Sequence, residues 1–269
     1  MLKIKFATPI VWANYQETMQ FIQNMDVLID CLRRPSFGCG KMVSFDKASI
    51  DIFSIQNETI NKPFNNLDLK ALNISEDERN QKGMAHWWFS TIERAFLSSP
   101  QTDYIFYYPF DTNWEVNSQN TVSNPSRICQ ILTWILGQNH NEESLYVGNY
   151  ISSNSTKETI EYEVRNFLVY HYPQLNSDIK RVRSEFFIIS RRLFTMFAGE
   201  IKKDNSFPKA EDPALLLILY CLKREKTIRA FDLGKYHVQG VWDSKKKTHQ
   251  ITRAKDIIVD FKKGNLPYV

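Results

Sequence analysis

The sequence has few of the features that mark several common classes of protein. Its 269 residues include four cysteines, and no two of them form the Cys-x-x-Cys pair of a zinc or redox motif. The longest apolar run, 214–222, is about half of the length that crosses a bilayer. The first residues alternate like a strand and contain no apolar core of a secretory signal. We therefore expect a cytoplasmic protein.

The excess of positive over negative charge is also small. The net charge is +4, from 34 basic and 30 acidic residues, and a nucleic-acid-binding protein would be expected to carry a denser basic stripe. The basic excess lies near the carboxyl terminus, where the densest run is 245–247. A solvated tail surface and attraction to phosphate groups or to a membrane surface both stay open for this segment. We expect no nucleic-acid partner.

What the sequence does contain is enough apolar material for a globular α/β domain. Residues 104–110 carry no charge, which indicates a strand buried on both faces that ends at Asp111. Before it, the patterns predict a first strand over 2–12, ending near Thr8-Pro9, and further strands and helices that alternate. These are a helix over 14–33, strands over 41–46 and 50–56, a long loop over 57–80 and a helix over 84–97. This alternation predicts a mostly parallel mixed sheet flanked by helices on both faces.

The second half continues with the same kinds of element. We expect helices over 127–137, 191–198 and 213–224, and strands over 145–151, 183–189 and 227–231. Residues 158–171 fit a helix and a strand equally, and a basic helix is expected beyond Trp242. The sequence shows no internal repeat and no linker, so we expect one domain over 1–269.

Four polar residues stand at predicted element ends: Asp46, Asp111, Asp212 and His237. Strand ends of one parallel sheet share an edge, so Asp46 and Asp111 can face one crevice. Asp111 and Asn113 offer oxygen atoms that suit a hard divalent ion. The same residues also fit simpler roles, because Asx side chains often bond their own turn and acids often precede a helix.

Several short segments, taken in order, resemble the GT-A class of nucleotide-sugar glycosyltransferases, with a family 2-like order of motifs. The first half contributes a Thr/Pro strand end, a strand with an Asp, a Gly turn before a helix and a degenerate Asp-x-Asp. The matching segments are ATPI (7–10), VSFDKAS (43–49), NQKGMA (80–85), YIFYYPFDTN (104–113), FFIISRRLF (186–194), EDPALLL (211–217) and KYHVQG (235–240). The resemblance implies a nucleotide-sugar-binding half, 1–113, and an acceptor-binding half, 114–269.

The resemblance also implies a role for each matching residue. On the donor side, the nucleoside would be held by Thr8, Pro9 and Asp46, and the pyrophosphate would lie near Lys82. Mg²⁺ or Mn²⁺ would be bound through the diphosphate by Asp111, Asn113 and His237. On the acceptor side, Asp212 would be the general base and Glu211 would hold the acceptor. The implied reaction is inverting transfer of a sugar to a glycan or other hydroxyl acceptor, in the synthesis of a cell-surface or secreted glycan.

The chain departs from this pattern in two places. Asn113 stands where the family has a second acid, and Lys47 and Ala48 follow Asp46. Metal-independent transfer and binding without turnover therefore stay open. A nucleotidyltransferase shares the α/β layout but would be expected to carry a Gly-rich loop near residue 10, where this chain has none. The sequence indicates no oligomeric state.

Overall fold

The computed structural model of the chain describes residues 1–11, 15–34, 42–54, 60, 63–75, 77–78, 84–108, 110, 124–138, 141–149, 182–204 and 213–232. Within this part of the chain, no helix is long and apolar enough to cross a membrane.

An eight-stranded sheet organises the fold. Its strands are β1 (Leu2–Val11), β2 (Val43–Phe45), β3 (Ala48–Ser54), β4 (Leu67–Asn73), β5 (Tyr104–Tyr107), β6 (Leu145–Asn149), β7 (Val182–Ser190) and β8 (Ile228–Asp232). They are ordered β4-β3-β1-β5-β7-β6-β8, with β2 also paired to β1. β7 runs antiparallel to both of its neighbours, and the other pairs are parallel. This is the mostly parallel mixed sheet that the alternating sequence predicts.

Helices cover both faces of the sheet. They are α1 (Tyr15–Arg33), α2 (Met84–Ser98), α3 (Pro125–Leu132), α4 (Arg191–Asp204) and α5 (Pro213–Lys223), and α3 continues into a π-helical turn, Thr133–Gln138. On α1 the buried side chains recur every three or four residues, which gives the helix one apolar face. Asn124 caps α3 by accepting a hydrogen bond from the Ser126 amide, and Pro125 occupies the first helical position.

The central strands are buried on both faces, and their side chains alternate between two cores. Phe6 and Phe106 pack on the side that α1 and α3 cover, with ring centroids 5.0 Å apart. Their neighbours Ala7 and Tyr107 pack on the other side, with residues of α2, α4 and α5. Because both side-chain rows are apolar, β5 shows the charge-free run from which a doubly buried strand was predicted.

β2 and β3 form one strand line that a bulge interrupts. Ile4 of β1 pairs with Phe45, whereas Ala7 pairs with Ser49, so the register shifts by one residue between them. Asp46 lies in this bulge, and the strand line continues to Ser54. β2 thus ends beside Asp46, as predicted, but level with Ile4 in the first half of β1, so Asp46 does not stand at the carboxyl ends of the strands.

One strand was also missed. Residues 57–80 were predicted to be a loop, but the structure places β4 at Leu67–Asn73, paired in parallel with β3. β4 stands at the edge of the sheet, where polar side chains such as Asp68 and Lys70 stay partly or fully exposed. An edge strand needs less apolar sequence than a central one, so the polar composition was misleading. Residues 158–171 and the tail beyond Trp242 lie outside the described residues.

Candidate functional site

The sheet has two edges with different surroundings. We call the side where β1, β3, β4 and β5 end the carboxyl edge, and the side where they begin the amino edge. In open α/β sheets, ligands bind in the crevice beyond the carboxyl ends of the strands. The carboxyl edge is therefore the place to look for a site.

Thr8 and Pro9 lie inside β1, which runs on to Val11 instead of ending near them as predicted. The Thr8 side chain is 1% exposed, and its hydroxyl donates a 2.7 Å hydrogen bond to the carbonyl oxygen of Tyr108. The Tyr108 amide in turn donates to the Ala7 carbonyl, at 3.0 Å. Thr8 thus holds the residue that follows β5, three positions before Asp111 in the sequence.

A second contact fixes the chain close to Asp111. Phe110 is partly buried and packs edge-on against Phe21 of α1, with ring centroids 5.3 Å apart. Tyr108 and Phe110 therefore anchor the two sides of Pro109. Asp111 and Asn113, which come next in the sequence, lie outside the described residues.

Asp46 lies toward the opposite edge. Its amide donates to the Ile4 carbonyl at 2.8 Å, in the first half of β1. Its carboxylate accepts a 2.7 Å hydrogen bond from the hydroxyl of Thr102, two residues before β5 begins. The structure therefore does not bring Asp46 to the end of β5 that leads to Asp111.

The first turns of α2 and α5 are directed toward the carboxyl edge. The last turn of α2 is near the amino edge, because Arg191 Nη2 donates to the Phe96 carbonyl at 3.1 Å. The residues after α5 reach the same edge, where the Leu145 amide donates to the Thr227 carbonyl at 2.9 Å. Helix amino ends favour anions. Three predicted residues precede these helices in sequence and, like His237, lie outside the described residues: Lys82, Glu211 and Asp212.

A small aromatic cluster stands beside the first turn of α2. Trp87 is 3% exposed and packs on Phe53 of β3, with ring centroids 4.6 Å apart. His86 contacts Trp87 edge-on at 5.0 Å. His86 is therefore part of the aromatic packing beside the first turn of α2.

The sequence analysis missed a polar layer between α2 and the sheet. Arg94 Nε lies 2.6 Å from Asp51 Oδ1, as a close ion pair. Burial raises the pKa of Asp51, and Arg94 acts in the opposite direction. Nearer the amino edge, the fully buried Lys5 ammonium donates to Asp68 at 2.7 Å and to Ser98 at 3.1 Å. The sequence feature that could have indicated this layer is Asp51, an acid between two isoleucines in a buried strand.

The described residues contain no group of three His, Cys, Asp or Glu side chains that could hold a metal ion. The three residues that the resemblance assigns to a metal, Asp111, Asn113 and His237, fall outside that part of the chain. Two of them are oxygen donors of the kind that Mg²⁺ and Mn²⁺ prefer, so the chemistry of the donor set fits either ion.

Sequence comparison gives no match, either to a protein-family model or to a curated protein. Structural comparison does. One similar structure is glucosyl-3-phosphoglycerate synthase from Mycobacterium tuberculosis in complex with Mn²⁺, UDP and phosphoglyceric acid: TM-score 0.59 and 13% identity, covering 97% of this chain and 78% of that chain.

Two further complexes of the same enzyme are similar to this chain. The complex with Mn²⁺, UDP-glucose and phosphoglyceric acid has a TM-score of 0.59, with 13% identity over 97% of this chain and 79% of the other. The complex with Mg²⁺ and UDP has a TM-score of 0.58, with the same identity and coverage. These proteins are GT-A glycosyltransferases, and the likeness extends over nearly the whole chain. The chain therefore has the GT-A fold, as its short motifs predicted.

Proposed function

We propose that this protein is a glycosyltransferase that moves a sugar from a nucleotide-sugar donor to a hydroxyl acceptor. The observation that carries the proposal is the position of the end of β5. β5 ends at the carboxyl edge of a GT-A sheet, contacts fix Tyr108 and Phe110 just after it, and Asp111 and Asn113 come next in the sequence. Structures of the same fold hold UDP or UDP-glucose with Mn²⁺.

Asp111 and Asn113, with His237, are the residues that we propose hold a divalent ion. Such an ion would offset the negative charge that builds on the leaving diphosphate. Lys82 precedes a helix amino end that is directed toward the carboxyl edge, and both features favour phosphate groups there. Thr8 and Pro9 are buried in β1, so their contribution to donor binding would be made through the chain that they hold.

On the acceptor side, we propose Asp212 as the general base and Glu211 as the residue that holds the acceptor. Asp212 immediately precedes Pro213, where α5 begins, and that first turn is directed toward the carboxyl edge. A carboxylate there would take the proton of the acceptor hydroxyl as the oxygen attacks the anomeric carbon. Direct attack by the acceptor would invert that carbon.

The resemblance further supports a hexosyl donor, a glycan acceptor and a place in the synthesis of a cell-surface or secreted glycan. The widely spaced cysteines support action in the cytoplasm, and the basic segment near the carboxyl terminus supports contact with a membrane surface. Asn113 supports a second candidate function, because a neutral amide replaces a charged ligand. In that case the protein would bind a nucleotide or sugar without turning it over.

Thermal unfolding with a panel of ligands tests the proposal. UDP, GDP, CMP and dTDP species would each be added with Mn²⁺ and with EDTA, to the wild type, to Asp111→Asn and to Asp30→Asn. Asp30 is an exposed acid on α1 paired with Arg34, so it is a matched control. At a hundredfold excess over the dissociation constant, a bound ligand should raise the melting temperature by about 5–10 °C.

We expect one nucleotide to stabilise the wild type and Asp30→Asn, more with Mn²⁺ than with EDTA, and to lose this effect in Asp111→Asn. An assay with the corresponding nucleotide-sugar donor then separates the two candidates, because a protein that only binds would transfer no sugar. If no nucleotide stabilises the wild type at millimolar concentration, the glycosyltransferase proposal is wrong, and a sugar-binding protein is the candidate left to test.

A further inference from the structure

The pair Thr8-Pro9 ends the hydrogen-bond ladder between β1 and β5 at a fixed residue. Just past the last pair of this ladder, Ala7 with Tyr107, the Ala7 carbonyl accepts a hydrogen bond from the Tyr108 amide at 3.0 Å. At the beginning of β5, the Lys3 carbonyl accepts from the Asp103 amide at 2.8 Å. In a parallel pair, the carbonyl of Tyr108 is then directed at the amide of residue 9.

Residue 9 is proline, which has no N–H to donate. Proline is rare inside a central strand for this reason. Without another donor, the buried carbonyl of Tyr108 would lose its hydrogen bond, at a cost that folded proteins seldom accept. The hydroxyl of Thr8 supplies the donor instead, at 2.7 Å.

The hydroxyl therefore holds Tyr108 beside β1 although Pro9 cannot. Two residues further on, Phe110 packs on Phe21 of α1, so the chain is fixed on both sides of residue 109.

We propose that Thr8 is a positioning residue: its hydroxyl supplies the hydrogen bond that Pro9 cannot donate, and so fixes Tyr108, three residues before Asp111. The inference rests on the proposed function only in naming Asp111 as a donor and metal residue. It differs from the role implied by the resemblance, in which Thr8 and Pro9 contact the nucleoside.

The test is a suppressor experiment on the full chain. Thr8→Val removes the hydroxyl and keeps a similar volume, and Thr8→Ser keeps the hydroxyl. The double variant Thr8→Val/Pro9→Ala gives residue 9 an N–H that can bond to Tyr108 in place of the hydroxyl. Thr102→Val is the control, because Thr102 is equally buried and makes an equally short side-chain bond toward the amino edge.

Two readouts are measured: hydrogen exchange of the Tyr108 amide, and affinity for UDP with Mn²⁺, or for whichever nucleoside diphosphate the ligand panel identifies. The Asp103 amide is an internal reference at the other end of the same ladder. We expect Thr8→Val to raise Tyr108 exchange and to weaken nucleotide affinity, each by roughly tenfold. Exchange of the Asp103 amide should stay unchanged. Thr102→Val should change neither the exchange of the Tyr108 amide nor the nucleotide affinity.

Rescue distinguishes positioning from direct contact. The double variant should regain both readouts to within about threefold of the wild type, as should Thr8→Ser. If Thr8 touched the nucleoside, the double variant would still lack the hydroxyl and would still bind weakly, which would overturn the proposal. Unchanged exchange in Thr8→Val would overturn it too, as would changed exchange with unchanged affinity.

If Thr8→Val does not fold, the double variant decides alone: a folded protein that binds supports the proposal, and an unfolded or non-binding one contradicts it. Failure of the proposed function looks different, because the wild type itself would then bind no nucleotide. That result would reject the link to Asp111, while exchange of the Tyr108 amide would still show whether the Thr8 hydroxyl fixes Tyr108.

Discussion

The two edges of the sheet are built differently. At the amino edge, charged side chains satisfy the backbone: Arg191 donates to the carbonyls of Thr102, Phe96 and Ser99, at 3.0, 3.1 and 2.7 Å. At the carboxyl edge, the described chain is held by the neutral Thr8 hydroxyl and by the ring contact of Phe110. Charged contacts thus stabilise the fold at the amino edge, whereas the carboxyl edge is where we propose the binding site.

The largest effect should come from Asp212→Asn at the carboxyl edge. The variant keeps the shape of the side chain but cannot take a proton, so transfer should fall by about 10²–10⁴-fold. Donor affinity should stay within a few-fold, since the residue is proposed to act on the acceptor. Initial rates and donor dissociation constants, measured beside Asp30→Asn, check this. A normal turnover rate would remove Asp212 as the base.

Arg191→Met should have the opposite profile. Three main-chain carbonyls each lose a hydrogen bond, and the guanidinium no longer covers the Phe96 ring, which it approaches to 4.7 Å. The free energy of unfolding should fall by about 2–3 kcal/mol, with donor affinity preserved in the folded protein.

The neighbouring arginine is a control for that prediction. Arg192 is 59% exposed and pairs with Glu143 at 2.7 Å, so Arg192→Met should cost less than about 1 kcal/mol. Urea unfolding of the two variants measures the difference. Equal losses of stability would show that the buried contacts of Arg191 do not hold the amino edge.

Asp46→Asn tests whether Asp46 stabilises the amino edge or binds the donor, the role that the family resemblance assigned to it. The structure gives its carboxylate a bond from Thr102, so the variant should lose about 1 kcal/mol of stability. Donor affinity should change by less than about twofold, because Asp46 does not lie at the carboxyl edge. Equilibrium titration checks the affinity, and a loss as large as that of Asp111→Asn would return Asp46 to the donor site.

The smallest effect concerns pH. The hydrogen bond from Lys226 holds the pKa of Glu143 below its ordinary value of 4.5. A lowered carboxyl pKa stabilises the fold above the unfolded pKa, and that contribution is lost as pH falls through the folded value. The wild type should therefore be more stable than Glu143→Gln near pH 6, with the two unfolding curves converging below about pH 4.5. A difference that does not decrease as the pH falls below 4.5 would contradict this assignment.

The sequence predicted the layout of the sheet well because the central strands are apolar on both rows. β4 was missed, since an edge strand such as Leu67–Asn73 tolerates the polar side chains that indicate a loop elsewhere. Asp46 was misplaced because a bulge is a matter of register with β1, which is not visible in β2 alone. The same holds for the Thr8 hydroxyl and the Tyr108 carbonyl, which are one hundred residues apart in sequence.

We propose that a nucleotide and a divalent ion bind at the carboxyl edge. Paramagnetic relaxation of amide signals by Mn²⁺, added with the nucleoside diphosphate that the panel identifies, tests this position directly. We expect strong broadening at Tyr108 and Val11, weaker broadening at Asp103 and Asp46, and loss of the pattern in Asp111→Asn. Broadening that is strongest at Asp103 and Asp46, or equal at both edges, would contradict it.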